Sequence, residues 1–160
     1  MTVRGLRALA AAAALSLGLA GRAGAQTAAA SATREIAPLL DAMMAAANAH
    51  DTDRFLASYL HDTSLVMVFN GSVIAGYDSV RALQLKWWNN GRSDVAYAFS
   101  GPLRYTVLGP AAAVTTFRLH AQRTDSTGAR RGGDLAVTSV WQKRPEGWRI
   151  VAVHESTDGR

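Results

Sequence analysis

The sequence predicts an α+β domain, with helices at the front of the chain and a mainly antiparallel sheet behind them. Three observations carry that prediction. Apolar residues recur at helical spacing from Thr33 to about residue 90, interrupted by one short hairpin. From residue 95 onward, long segments rich in β-branched and aromatic residues take over. The junctions between those segments are short and built from Gly, Pro, Asp and Ser, as antiparallel connections require.

Residues 26–32 are rich in Ala, Ser and Thr and read as a flexible lead-in. Thr33 then caps a first helix whose stripe is Ile36, Leu39, Leu40, Met43, Met44 and Ala47, with Pro38 near its start, where proline is tolerated. Asp51 caps a second, shorter helix carrying Phe55, Leu56, Tyr59 and Leu60. Residues 64–69 form a strand, and Asn70-Gly71 is a two-residue hairpin signal into residues 72–75. A third helix opens at Tyr77-Asp78, places Val80, Leu83, Trp87 and Trp88 on one side, and stops at Asn89-Asn90-Gly91. Four long strands follow at 95–108, 111–123, 134–143 and 148–155.

The chain has 160 residues, 17 Lys and Arg, 12 Asp and Glu, and no cysteine. Residues 1–25 have the layout of a signal peptide: Arg4 and Arg7, an apolar run from Ala8 to Ala20, then Ala23-Gly24-Ala25 as a small-x-small cleavage site. The run falls short of the roughly 20 residues needed to span a bilayer. Export to the periplasm or beyond is the expectation, with no membrane association once the signal is removed. That segment holds three arginines and no acid, so the remainder carries only +2. Its basic residues are scattered, without the basic stripe and exposed aromatics of a nucleic-acid binder. Without cysteine, thiol nucleophiles, thiolate metal sites and disulfides are all excluded. The organisation is then signal peptide 1–25, lead-in 26–32, one domain at 33–157 and a tail at 158–160.

The closing hairpin, through Val140-Trp141 into Trp148-x-Ile150 and His154-x-Ser156, resembles the end of nuclear transport factor 2-like (SnoaL-like) domains, and the element order matches theirs. The resemblance covers 33–157. It implies a curved mixed, mainly antiparallel sheet wrapped around three helices, a cone with one pocket. The superfamily includes isomerases, dehydratases, lyases and modules that only bind, and its catalysts are commonly dimers.

Because side chains alternate along a strand, parity decides which of them meet a ligand. On 113–123 one face carries Val114, Thr116, Arg118, His120 and Gln122; the other carries Thr115, Phe117, Leu119 and Ala121. The kinase association domains of the superfamily resemble this strand in having a mid-strand arginine that points into the pocket, and Arg118 falls there. By that comparison Glu155, with Val153 and Val151, and Ser139, with Val137, also face the pocket. His154, with Ala152, Ile150 and Trp148, faces away.

These positions define the candidates. Arg118 is either an anchor for a carboxylate or oxyanion or half of a solvent-side ion pair. His120 is either an acid–base group or a cross-strand hydrogen-bonding residue. Glu155 is a proton acceptor if the pocket desolvates it and a rim charge otherwise. Tyr59, Met67, Trp87 and Trp88 supply an apolar wall or plain core packing. No metal is expected, since His50 and His61 are eleven apart and His120 and His154 lie on separate strands. Neither a nucleophile elbow nor a phosphate-binding loop occurs, and Asp51-Thr52-Asp53 reads as helix capping, so no cofactor is expected. The expected function is binding of a small, largely apolar or acidic molecule, with cofactor-free acid–base chemistry of isomerase, dehydratase or lyase type. The alternative is a non-catalytic ligand-binding or dimeric interaction module of the cell envelope, and a homodimer is expected through an outer sheet face formed by Phe117, Leu119, Ala121, Trp148 and Ile150.

Overall fold

The computed structural model describes the backbone of residues 6–157 and the side chains of residues 26–157. The signal segment therefore lies partly, and the tail 158–160 wholly, outside the described residues. Helix α1 spans Leu6–Asn48, α2 Thr52–Phe55 and α3 Tyr77–Trp87, with a 3-10 turn at Leu56–Ser58. The strands are β1 Val66–Phe69, β2 Ser72–Ala75, β3 Ala96–Phe99, β4 Arg104–Gly109, β5 Ala112–Thr124, β6 Arg130–Arg144 and β7 Gly147–Thr157. They form one sheet in the order β2-β1-β7-β6-β5-β3, and β4 pairs with β5. All pairings are antiparallel except β1 with β7.

Local chemistry explains most boundaries. The Asp51 carboxylate accepts the Arg54 amide proton at 3.1 Å and caps α2. Asn70 and Gly71, at φ 45° and 83°, make the turn between β1 and β2. The segment 26–32 departs from its reading as a lead-in: it is helical, and Ala32 is buried in the core. Alanine is the strongest helix former and nothing in this stretch stops a helix, so α1 does not wait for Thr33. Pro38 consequently lies deep inside α1, where it leaves the Arg34 carbonyl without its usual amide partner. Burial of Ile36, Leu40, Met43, Ala46 and Ala47 holds the helix regardless.

The strand expected at 95–108 is two strands. Ser100-Gly101-Pro102 interrupts it, since proline has no amide for the ladder. β3 and β4 lie in succession along the same edge of β5, Phe99 opposite Leu119 and Arg104 opposite Thr116.

Two contacts lock the layers. Glu35 on α1 accepts from Lys143 Nζ at 2.7 Å, Trp148 Nε1 at 3.1 Å and Ser31 Oγ at 3.0 Å, which ties the helix to the far ends of β6 and β7. Inside the core, the Trp141 indole N–H donates to Thr115 Oγ1 at 2.9 Å with both residues fully buried. The indole has no route to water, so its proton depends on that hydroxyl. Thr115→Val, which keeps the shape and removes the acceptor, should lower stability by about 1–3 kcal/mol in urea denaturation. Thr115→Ser, which retains the acceptor, should lose only about 1 kcal/mol for the missing methyl. Equal stability of Thr115→Val and the parent would contradict this reading.

Candidate active site

The inner face of the sheet is set by register. Phe69 pairs with Glu155, Glu155 with Val137, and Val137 with Phe117, so these four form one transverse row. The neighbouring rows on the same face are Leu119 with Leu135 and Ser139 with Val153. α1, α2 and α3 cover part of this face, and between them and the sheet lies a cavity of about 790 Å³. Its helical wall comes from Leu40, Met43 and Ala47 of α1, Phe55 of α2, and Gln84 and Trp87 of α3.

Glu155 is the notable group. Its carboxyl makes no hydrogen bond and no ion pair among the described residues, and it sits in a wall of Phe69, Val137 and Phe117. Burial therefore disfavours the ionised form and pushes its pKa from 4.5 up to about 7. Two tyrosines feel its charge. Tyr59, buried, is pushed well above the ordinary phenol range by desolvation and then by Glu155. Tyr97 is raised by burial, with the Glu155 charge adding to it and the Trp88 and Arg123 groups opposing. Both stay protonated and can donate. The Trp88 indole N–H donates to the Tyr97 hydroxyl oxygen at 3.0 Å, which leaves the Tyr97 proton free for a ligand. Trp88 is itself fixed edge-on against Phe55 and His50, at ring separations of 5.1 and 5.8 Å.

The predicted residues separate into two groups. Tyr59, Trp87, Trp88, Ser139 and Glu155 line the cavity together, while Met67 is packed in the core and is not part of the wall. Arg118 requires correction. It points to the other face, where its Nη2 donates to Asp134 at 3.0 Å and its side chain is 57% exposed. His120 shares that face and that carboxylate, with Nδ1 2.7 Å from Asp134 Oδ1, although it also borders the cavity mouth. Hydropathy explains the outcome: Thr115, Phe117 and Leu119 are the side chains that gain from burial, and strand parity sends Arg118 and His120 the opposite way.

The proposed dimer face is corrected for the same reason. Phe117, Leu119 and Ala121 line the cavity. Trp148 and Ile150 are buried because a bulge at Val151 shifts the register between Val140 and Trp141, reversing parity along β7. His154, beyond the bulge, is exposed on the outer face as expected. Sequence reasoning missed Tyr97, whose signal was available in β3: opposite Ala121, it shares the inner face.

The family model described as calcium/calmodulin dependent protein kinase II association domain matches residues 32–159. Among solved structures, a nuclear transport factor 2-like protein of unknown function from Shewanella oneidensis is 24% identical, with a TM-score of 0.67 over 78% of this chain and 98% of that one. A nuclear transport factor 2-like family protein from Streptomyces avermitilis, described as a candidate dehydratase, is 16% identical, with a TM-score of 0.70 over 82% and 99%. One with a cystatin-like fold from Novosphingobium aromaticivorans is 21% identical, with a TM-score of 0.66 over 99% and 94%. At these identities the likeness is one of fold. No curated protein matches the chain significantly.

The raised Glu155 makes a stability prediction. A carboxyl whose folded pKa lies above its unfolded value keeps its proton longer in the folded state, so ionisation costs stability as pH rises from about 4.5 through 7. Glu155→Gln removes that cost. In urea denaturation the stability of the variant relative to the parent should rise between pH 5 and pH 8, by about 3 kcal/mol at most. A pH-independent difference would contradict the desolvated carboxyl.

Proposed function

The chain belongs to the calcium/calmodulin dependent protein kinase II association domain family, and on that premise we propose that its cavity binds a small, largely apolar molecule and moves a proton on it without a cofactor. Glu155 is the base, and the hydroxyls of Tyr59 and Tyr97 receive the developing oxyanion. The observation that carries this reading is Glu155 itself, a carboxyl desolvated to a pKa of about 7 with no cation to offset its charge. A base with that pKa is partly ionised at neutral pH and a far stronger proton acceptor than a carboxylate in water. Neutral phenols aimed into a site of low polarity stabilise an enolate or phenolate without prior reorganisation. Isomerisation, dehydration and lyase chemistry that begin with removal of a proton next to a carbonyl all fit this set.

A second reading is binding without turnover, with protonated Glu155 donating a hydrogen bond to a ligand oxygen. The same pKa favours it, since about half of the molecules carry that proton near pH 7. Either activity is placed outside the cytoplasm, on the strength of Arg4, Arg7, the apolar run and Ala23-Gly24-Ala25.

The two readings separate with 5-nitrobenzisoxazole, a flat uncharged probe. A base removes its ring C–H proton while the N–O bond breaks, giving a cyanophenolate. The base reading predicts kcat/KM that rises with pH to a plateau with a midpoint near 7, and a loss of about 100-fold or more in Glu155→Gln. Turnover no faster than free carboxylate, or unchanged in Glu155→Gln, leaves only the binding reading.

A further inference from the structure

The inner face of the β5–β6 hairpin continues past the row that holds Glu155. Beyond Leu119 and Leu135 come Ala121 opposite Gly133, then Arg123 opposite Arg131, and all six line the cavity. The two guanidinium groups therefore leave directly opposed positions on one face at the open end of the cavity. Like charges so placed are destabilising unless something offsets them. Asp125 offsets one, accepting from Arg131 Nε at 2.9 Å. Arg123 makes no ion pair among the described residues, and its charge reaches inward to the Tyr97 hydroxyl. Of the two arginines on this face, only Arg123 lacks a carboxylate partner among the described residues.

Between that charge and the apolar rows the floor is bare. A Cβ built on Gly133 meets nothing within 4 Å, whereas one on Gly132, which faces the other side, would meet His120 Nε2 at 2.8 Å. Ala121 and Gly133 hence form a trough connecting the arginines to the apolar wall of Phe99, Phe117, Leu119 and Leu135. Phe117 and Arg123 are six residues apart on β5, as are Val137 and Arg131 on β6. The head and the Glu155 row are accordingly separated by about 20 Å of strand, before the side chains shorten the gap.

We infer that the open end is a headgroup subsite for an elongated apolar carboxylic acid. Arg123 and Arg131 hold its carboxylate, and its body runs over Ala121 and Gly133 toward Glu155. The unpaired Arg123 matches a monoanion, and a guanidinium fork matches the planar two-oxygen geometry of a carboxylate. The placement of the buried end rests on the active site proposed above; the headgroup subsite rests on register and charge alone.

Tryptophan fluorescence of the protein, with Trp87 and Trp88 in the cavity wall, reads binding of decanoate, decanol and decyl phosphate. Decanoate should bind about tenfold or more tighter than decanol, the worth of a charge-assisted contact. Arg123→Ala should bring decanoate to the level of decanol and leave decanol unchanged; Arg123 is exposed, so folding is not at stake. Gly133→Trp should weaken both by filling the trough. Equal affinity for decanoate and decanol, binding of neither, or a decanoate preference that survives Arg123→Ala would overturn the proposal. Decyl phosphate binding tenfold tighter than decanoate would overturn the carboxylate assignment. Nitrobenzisoxazole carries no carboxylate, so its Glu155-dependent turnover is decided separately: either result can fail while the other stands.

Discussion

The two-residue alternation of side chains across β5, β6 and β7 is the constraint from which the rest follows. Thr115, Phe117 and Leu119 must be buried, and register passes their orientation to Ser139, Val137 and Leu135, and from Val137 to Glu155. A glutamate is thereby carried into an apolar row with no partner, while Arg118, His120 and Asp134 of β5 and β6 are sent to the other face. Core formation and the unusual carboxyl are one event. Helix α1 is anchored to the sheet through Glu35, Lys143 and Trp148, contacts that do not involve that carboxyl.

Much of this was legible in the sequence. The order of elements and the Asn70-Gly71 turn follow from local chemistry and periodicity, and the facing of Glu155 and Ser139 follows from the resemblance to the kinase association domains. The same resemblance misplaced Arg118, whose own neighbours, alternating Thr115, Phe117 and Leu119, pointed the other way. The bulge at Val151 was hidden for a different reason. One extra residue in Ile150-Val151-Ala152 leaves no mark in a run of apolar side chains, yet it reverses the face of Trp148 and Ile150. Tyr97 was obscured by reading 95–108 as one strand, although Gly101-Pro102 marks the interruption.

The site has two ends with different physical tasks. At the depth of the cavity, burial raises the Glu155 carboxyl and the Tyr59 and Tyr97 phenols. At the mouth, solvent-exposed arginines supply charge where it costs little to expose. For the activity proposed above, such a division would let binding energy gathered at a remote head position the reacting end. A shared fold does not fix a function, so the proposed activity rests on Glu155 and its surroundings and not on the architecture.

The most direct test is the titration of Glu155 followed by 13C NMR of the glutamate side-chain carboxyls, assigned by the resonance missing in Glu155→Gln. A midpoint near 7, against about 4.3 for an ordinary glutamate, is the predicted result. A midpoint in the ordinary range would mean that water or a cation reaches the carboxyl, and the account of a desolvated base would be wrong.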